Sequence, residues 1–572
     1  MNRNVESHFA MLPRAEIQRS RFDRSFSHKT TFNVGDVVPI FLDMDILPGD
    51  TVTVDTSKVI RLQTLLKPIF DNVYLDTYFF FVPNRLLWSH WKEFMGENTS
   101  SAWAPTTTYS IPQMMVYSSD VTASGTLVDY LGVPVGIYGS FNALPIRAYS
   151  LICNEWFRDE NLTNPLVLNT GDANTTYVST GDCEAGGALF KASKYHDYFT
   201  SCLPAPLKAN QPVLAPISST PGIIANVGMN LYTHENLGND IAGTTGGNSD
   251  YPLVGHFAHN GTLGSQLLKN NTNTGTVDYS TVGSGGSESS SSAYRPDNLY
   301  AYIPKTPAWP SGITGALSVS IADLRNAFQI QKLLERDARS GTRYTEVISA
   351  HFNTTSPDSR LQRPEYLGGS RVNISVHQVT NQSEGTNQFL GSLGAFGMTV
   401  ERHSDFTYSA TEHGIILGVC VARYDHTYSQ GIERGWLRKN RFDYFWPALS
   451  TISEQPVYTQ ELYVGTQITA LSTAPIFGYQ EAWADYRYKP NRVSGEMRPD
   501  VTNTLAVWHL GDDYAAQPYL SDSWIREDKT NVDRVLAVQS SVSNQIMLDV
   551  AFNAWYTRPM PMYSIPGLVD HF

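Results

Sequence analysis

The sequence predicts a mainly β protein, a β-sandwich of jelly-roll type whose connecting loops have grown into subdomains and which carries a few helices. Three observations support this. Gly, Pro and Tyr number 42, 31 and 31 and are spread along all 572 residues, the punctuation of many short strands. Runs of β-branched and aromatic residues lie near the start and again beyond Gly368-Gly369, with helical periods and a low-complexity stretch between them. A jelly roll is the natural sandwich for that distribution, because each of its two sheets mixes early and late strands.

Residues 1–30 form a polar, basic arm in which Arg14, Arg19, Arg21, Arg24 and Lys29 interleave with Phe22, Phe26 and His28. Two readings stand open for it: contact with phosphates or a neighbouring subunit, or a solvated terminus. A first strand is expected over Thr30 to Leu42, around Gly35-Asp36. Pro48-Gly49-Asp50 then supplies a turn, and Thr51 to Val54 open the next strand. Asp71 to Pro83 reads as a core strand with Phe79, Phe80 and Phe81 in succession. It runs into a helix capped by Asn84 and stopped at Gly96, along which Leu87, Trp88, Trp91, Phe94 and Met95 recur at helical spacing. The three phenylalanines, Trp88 and Trp91 are core candidates, since aromatics in such patterns are usually packed.

A second helix opens at Asn142 and Pro145 and sets Ile146, Tyr149, Ile152, Cys153, Trp156 and Phe157 on one face. Residues 31–208 thus make the first part of the sandwich. Residues 209–295 are rich in Gly, Asn, Thr and Ser and end in Gly283-Ser-Gly-Gly-Ser-Glu-Ser-Ser-Ser-Ser292, a composition unable to bury a core of its own. Ile223, Leu231, Tyr232, Tyr251 and Phe257 nonetheless call for partial order, so a projecting lobe with a flexible tip is expected. Residues 296–572 return to the sandwich. A third helix spans Ile321 to Arg339, with Ser320 and Asp323 as a weak capping box, Ala327, Ile330, Leu334 and Ala338 on one face, and Ser340-Gly341 as its stop. Val372 to Val376 alternates as a strand does, Gly414 to Ala422 is almost continuously apolar, as for a strand buried on both faces, and Asn544 to Tyr556 is the last strand.

Composition narrows the function. A formal charge of −13 argues against a protein that coats nucleic acid indiscriminately, because that binding needs clustered Lys and Arg. Charged residues make up only 17%, so much of the surface is polar without charge or is covered by partners. There is no apolar run of about 18 residues and no signal-peptide apolar region, so a soluble chain made in the cytoplasm, with no membrane span, is expected. Cys153, Cys183, Cys202 and Cys420 form no C-x-x-C pair and read as reduced, buried thiols.

Catalytic signatures are missing. Gly283-Ser-Gly-Gly-Ser287 has Gly where a nucleophile elbow needs Ser, and neither a phosphate-binding G-x-x-x-x-G-K-[ST] nor an H-E-x-x-H occurs. His403, His413 and His426 are irregularly spaced and read as surface or core histidines. Asp43, Asp45 and Asp50 could bind a hard cation, but acidic residues in turns more often accept backbone N–H bonds. No catalytic residue, metal or cofactor is assigned. Aromatic and basic residues interleave from Arg434 to Trp446 and from Tyr479 to Arg492. These stretches offer Arg438, Arg441, Trp446, Tyr486, Arg487 and Arg492 for stacking on unpaired bases or for a subunit interface, the favoured reading.

Several strings together resemble one family. Pro48-Gly-Asp50, Phe79-Phe-Phe-Val-Pro-Asn-Arg-Leu-Leu-Trp88 through Gly96-Glu97, and Leu324-Arg-Asn-Ala-Phe-Gln-Ile-Gln-Lys-Leu-Leu-Glu335 are similar to the major capsid proteins of the Microviridae, gokushovirus branch. Arg343-Tyr-Thr-Glu346, Ser356-Pro-Asp-Ser-Arg-Leu-Gln-Arg-Pro-Glu-Tyr-Leu-Gly-Gly369, Arg558-Pro-Met-Pro561 and Pro566-Gly567 extend the resemblance to the C-terminus. It implies an eight-stranded viral jelly roll that self-assembles into a T=1 icosahedral shell around a circular single-stranded DNA genome. A small basic viral protein that helps hold the DNA is implied as a partner. So is a host surface receptor, met by the 209–295 insertion as a protrusion. The implied location is the virion, after synthesis and assembly in the bacterial cytoplasm. The alternative, motivated by Tyr and Trp content and long loops, is a β-rich carbohydrate-binding protein or glycoside hydrolase.

Overall fold

The structure, a computed structural model, describes residues 18–99, 101–102, 107–209, 321–383 and 389–563, together with the backbone of short strands between 231 and 301. Eight strands build a β-sandwich: β1 (Phe26–Phe32), β2 (Val38–Ile46), β3 (Thr51–Leu65), β4 (Val73–Pro83), β5 (Glu365–Asn373), β6 (Leu393–Ser409), β7 (Gly414–Tyr424) and β8 (Ile546–Arg558). They pair antiparallel in two sheets, ordered β1-β8-β3-β6 and β2-β7-β4-β5. Short strands Ser20–Asp23 and Val376–Thr380 extend the first sheet, on β8 and β6 respectively.

Period-two patterning sets the register. Along β3, Val52, Val54, Thr56, Lys58, Ile60 and Leu62 turn inward, and they face Tyr556, Ala554, Phe552, Val550, Leu548 and Ile546 of β8 in that order. A slip of one residue would turn both apolar sets outward. On β4 the three successive phenylalanines divide between two cores. Phe79 and Phe81 join the core between the sheets, whereas Phe80 joins a second core on the outer face of the β2-β7-β4-β5 sheet. That outer face is covered by α1 (Leu144–Ile152), which contributes Ile146, Tyr149 and Ile152. Burial on both faces is why every residue of β7 from Gly414 to Ala422 is buried. Gly418 makes room for the facing rings: a Cβ there would lie 2.7 Å from Phe79 Cε1 and 2.8 Å from Phe41 Cβ.

Several elements differ from the sequence expectation. The run Thr30 to Leu42 is two strands on different sheets, because Gly35 takes a positive φ of 84° and turns the chain between β1 and β2. Val372 to Val376 is likewise divided, β5 ending at Asn373 and the next strand opening at Val376 on the other sheet. The Asn84 to Met95 helix is two single turns, Asn84–Leu87 and Trp91–Phe94, and Pro83 rather than Asn84 occupies the cap position. Trp88 between them is extended (φ −146°), which sinks its indole into the outer core while Nε1 donates to Asp172 Oδ1 at 2.7 Å. Trp88 is fully buried, whereas Trp91 is half-buried. Asn142 stands just ahead of α1, its Oδ1 accepting from Leu144 N at 2.9 Å, and a π-helical turn, Cys153–Phe157, follows the helix. That turn leaves Trp156 36% exposed, beneath the Arg363 guanidinium.

The third expected helix, α2 (Ile321–Ser340), forms; of its face Ala327, Ile330, Leu334 and Ala338, only Ala338 is buried. Its proposed cap, Ser320, lies outside the described residues. Contacts divide the chain into two compact units, Met1–Asn210 with Lys332–Phe572, and Gln211–Gln331, so the sequence boundary at residue 295 falls inside the second. That unit contains a small antiparallel sheet of Leu231–Thr233, Tyr251–Pro252 and Leu299–Ala301, plus three two-stranded ladders. Most of the Gly283 to Ser292 tip, like Ile223 and Phe257, lies outside the described residues.

Candidate assembly surface

Among the described residues the basic arm is laid along β8, and Arg19, Arg21, Arg24 and Lys29 are engaged within the chain. Arg14 lies outside the described residues. Arg19 donates to Gly49 O and, at 3.3 Å, to Thr51 Oγ1. The Arg21 guanidinium lies over the Trp555 ring at 4.1 Å. Arg24 pairs with Asp43 at 2.8 Å and covers Tyr556, while Lys29 meets Asp549 at 3.4 Å. The last pair is largely exposed and contributes little, but Asp43 is buried and its pairing orients the arm. The Asp43–Asp50 turn is correspondingly organised by arginines. Arg558 lies 3.2 Å from Asp50 Oδ2 and 3.9 Å from Asp43, and the two carboxylates also accept from Leu47 N and Asp45 N. Burial pushes the Asp50 carboxyl up, against the Leu47 N–H and Arg558, which favour its charge.

The second group comes together on one surface. One-turn helices at Arg434–Leu437, Arg441–Asp443 and Pro447–Leu449 pack beside the turn Ala484–Arg487. Asp443 caps its own turn: its carboxylate accepts from Asn440 N and Lys439 N, which hold it below the usual carboxylate range. Arg438 pairs with Asp485 and lies 4.3 Å over the Tyr486 ring and 5.4 Å over Tyr444. Arg441 lies over Trp446 at 4.6 Å, and Trp446 Nε1 donates back to Arg441 O at 3.0 Å. Phe445 contacts Trp483 and Tyr486 edge-on or tilted. Arg492 lines the same groove as Trp436, Arg438 and Tyr486 and is bonded to Glu433 at 3.0 Å, while Arg487 is bonded to Glu481 at 2.7 Å.

The outcome is an exposed aromatic surface. Trp436 is 78% exposed and Phe442 71%, and Tyr444, Tyr486 and Tyr488 are at least half exposed. Beside it runs a groove of about 540 Å³ lined by Trp436, Arg438, Tyr486 and Tyr488. The carboxylates that engage the arginines, Glu433, Glu481 and Asp485, were not among the sequence candidates, although two of them lie in the same Tyr479 to Arg492 string.

The histidines have other roles. His426 is buried between Asp512 at 2.8 Å and Glu527 at 3.1 Å, tying the end of β7 to two distant loops. His403 bonds Asp405, and His413 packs edge-on against Trp91. All four cysteines are buried and free. Among the described residues no helix is long and apolar enough to cross a membrane.

Residues 10–568 match the family described as "Capsid protein (F protein)". The "Capsid protein VP1" of Chlamydia phage 1 is 36% identical, over 99% of this chain and 98% of the relative. The protein of the same description from Bdellovibrio phage phiMH2K is 36% identical over 100% and 99%, and that of Spiroplasma virus 4 is 37% identical over 98% and 97%. With its antiparallel sandwich and its full-length likeness to these proteins, the chain belongs to the phage capsid protein (F protein) family, as a major capsid protein of gokushovirus type.

Proposed function

We propose that copies of this chain form a T=1 icosahedral shell around a circular single-stranded DNA genome, and that the chain has no catalytic role. The observation that carries the reading is the strand order. Numbered along the chain, the strands run 1-8-3-6 and 2-7-4-5, the winding expected of a jelly roll, in a chain that matches a capsid family over nearly its whole length. The charge of −13 supports a division of labour in which a small basic viral protein neutralises the DNA. So do the arm cations Arg24 and Lys29, which are already paired with Asp43 and Asp549. The 209–295 insertion, whose composition is that of a variable loop, is the candidate protrusion for a host surface receptor. Synthesis and assembly take place in the bacterial cytoplasm, and the chain ends in the virion.

Co-expression with the small basic partner, followed by cryo-electron microscopy, tests this. Particles of 60 identical copies are expected, that being the definition of T=1. Persistent monomers would remove the shell reading, and particles of another triangulation number would remove T=1 alone.

A further inference from the structure

The aromatic surface around Trp436 and Phe442 has charge and geometry that select one occupant. We propose that it makes a heterologous contact in the shell, docking on a different, acidic surface of a second copy of this chain. The inference rests on the shell reading and specifies one of its interfaces.

The surface carries six cations, Arg434, Arg438, Lys439, Arg441, Lys489 and Arg492, against three carboxylates, Glu433, Asp443 and Asp485, a formal +3. The whole chain carries −13, so the remainder carries −16. Two such patches facing each other across a two-fold axis would bring like charges together. The same patch against another part of a second copy meets complementary charge. A head-to-tail contact of this kind closes into rings, the arrangement found around the higher-order axes of a shell.

The local pairing separates this occupant from a nucleic-acid strand. Arg438 is held by Asp485, and Lys489 and Arg492 share Glu433 at 3.5 and 3.0 Å. A groove that tracks single-stranded DNA needs a continuous row of cations free to meet phosphates, and here that row is broken: Arg438 is paired and Lys489 and Arg492 share one carboxylate. What remains open is an aromatic centre of Trp436, Phe442 and Tyr444, with Lys439 and Arg441 exposed at its edge. An apolar aromatic centre with a charged rim is the anatomy of a protein interface, and Trp, Tyr and Arg are the residues that dominate binding there.

The test uses the full chain, co-expressed with its small basic partner, as wild type, as Trp436→Ser with Phe442→Ser, and as Lys439→Glu with Arg441→Glu. Particle yield is read by sedimentation and electron microscopy, fold by thermal melting of the unassembled chain, and strand binding by fluorescence anisotropy of an oligothymidine. Both double variants should lower particle yield at least about tenfold, with melting and oligothymidine binding at wild-type values. Wild-type yields from both variants overturn the proposal. Intact assembly with weakened oligothymidine binding also overturns it and assigns the surface to DNA. Should the serine variant melt early, the charge-reversed variant decides, because its side chains are exposed and its loss of assembly cannot come from the core. A wild-type chain that never forms particles overturns the shell reading itself, a result distinct from wild-type and variant particles alike.

Discussion

Lys58 is a charged residue at an inward position of β3 and is fully buried, so its replacement tests how the two sheets are joined. Its ammonium donates to Thr77 Oγ1 at 2.9 Å and Ser370 Oγ at 2.6 Å on the opposite sheet, and lies 3.2 Å from Glu401. Lys58→Ala removes three methylenes and the charge. At about 0.8 kcal/mol per buried CH₂ the stem alone is worth roughly 2.4 kcal/mol before any cavity cost. The orphaned carboxylate adds less than the roughly 3–5 kcal/mol of a fully buried partner, because Glu401 is 24% exposed and can rehydrate. Thr77 and Ser370 retain each other at 3.0 Å. The expected loss for Lys58→Ala is therefore about 3–4 kcal/mol, and for Lys58→Met, which keeps the stem, about 1 kcal/mol or less. Urea unfolding of the unassembled chain measures both, provided the slope with denaturant is unchanged. If Met proves as costly as Ala, the ammonium rather than the stem joins the sheets and this reasoning fails.

Trp88→Ala should cost about 3–5 kcal/mol, and Trp91→Ala clearly less because its ring is only half-buried; equal urea midpoints for the two would refute the distinction. Gly418→Ala should cost about 1–3 kcal/mol by forcing Phe79 or Phe41 aside, and a midpoint unchanged from wild type would show that the rings have room to move. Burial opposes the charge of His426, but Asp512 and Glu527 outweigh it and push its pKa up to about 10. The unfolded value is about 6.5, so this charge stabilises fully below about pH 6.5 and its contribution is lost as the pH rises towards 10. His426→Asn should flatten the fall of the urea midpoint across that window, and a wild-type slope in the variant would exclude His426 as its source. Deleting Gly283 to Ser292 should leave particle formation intact, since so polar a tip has nothing to bury; loss of particles by electron microscopy would contradict that.

Local signals carried the sandwich. The unbroken apolar run of β7 reports a strand covered on both faces, and the alternation of β8 reports one core face and one outward, mixed face. Both periods are properties of the backbone and survive whatever the rest of the chain does. The elements misread from sequence are those in which a distant partner prevails. Trp88 leaves the helical path where its indole sinks into the outer core and meets Asp172, and the apolar run around Gly35 divides because its two halves pair with different strands, β8 and β7. The candidate surface divides in the same way. The aromatic and basic residues of the two strings are visible in order, but whether an arginine is free or engaged depends on distant carboxylates, Asp485 for Arg438 and Glu433 for Arg492, which only folding brings beside them.

The sequence by itself determined the class of fold, the family, the phenylalanine core and the stretches that bear the exposed aromatics. Tertiary structure alone decided which strand joins which sheet, which tryptophan is buried and which cations remain for a partner. The physical reason is range: periodicity and propensity act within a few residues, whereas burial and charge pairing act between groups that the chain separates by tens to hundreds of positions.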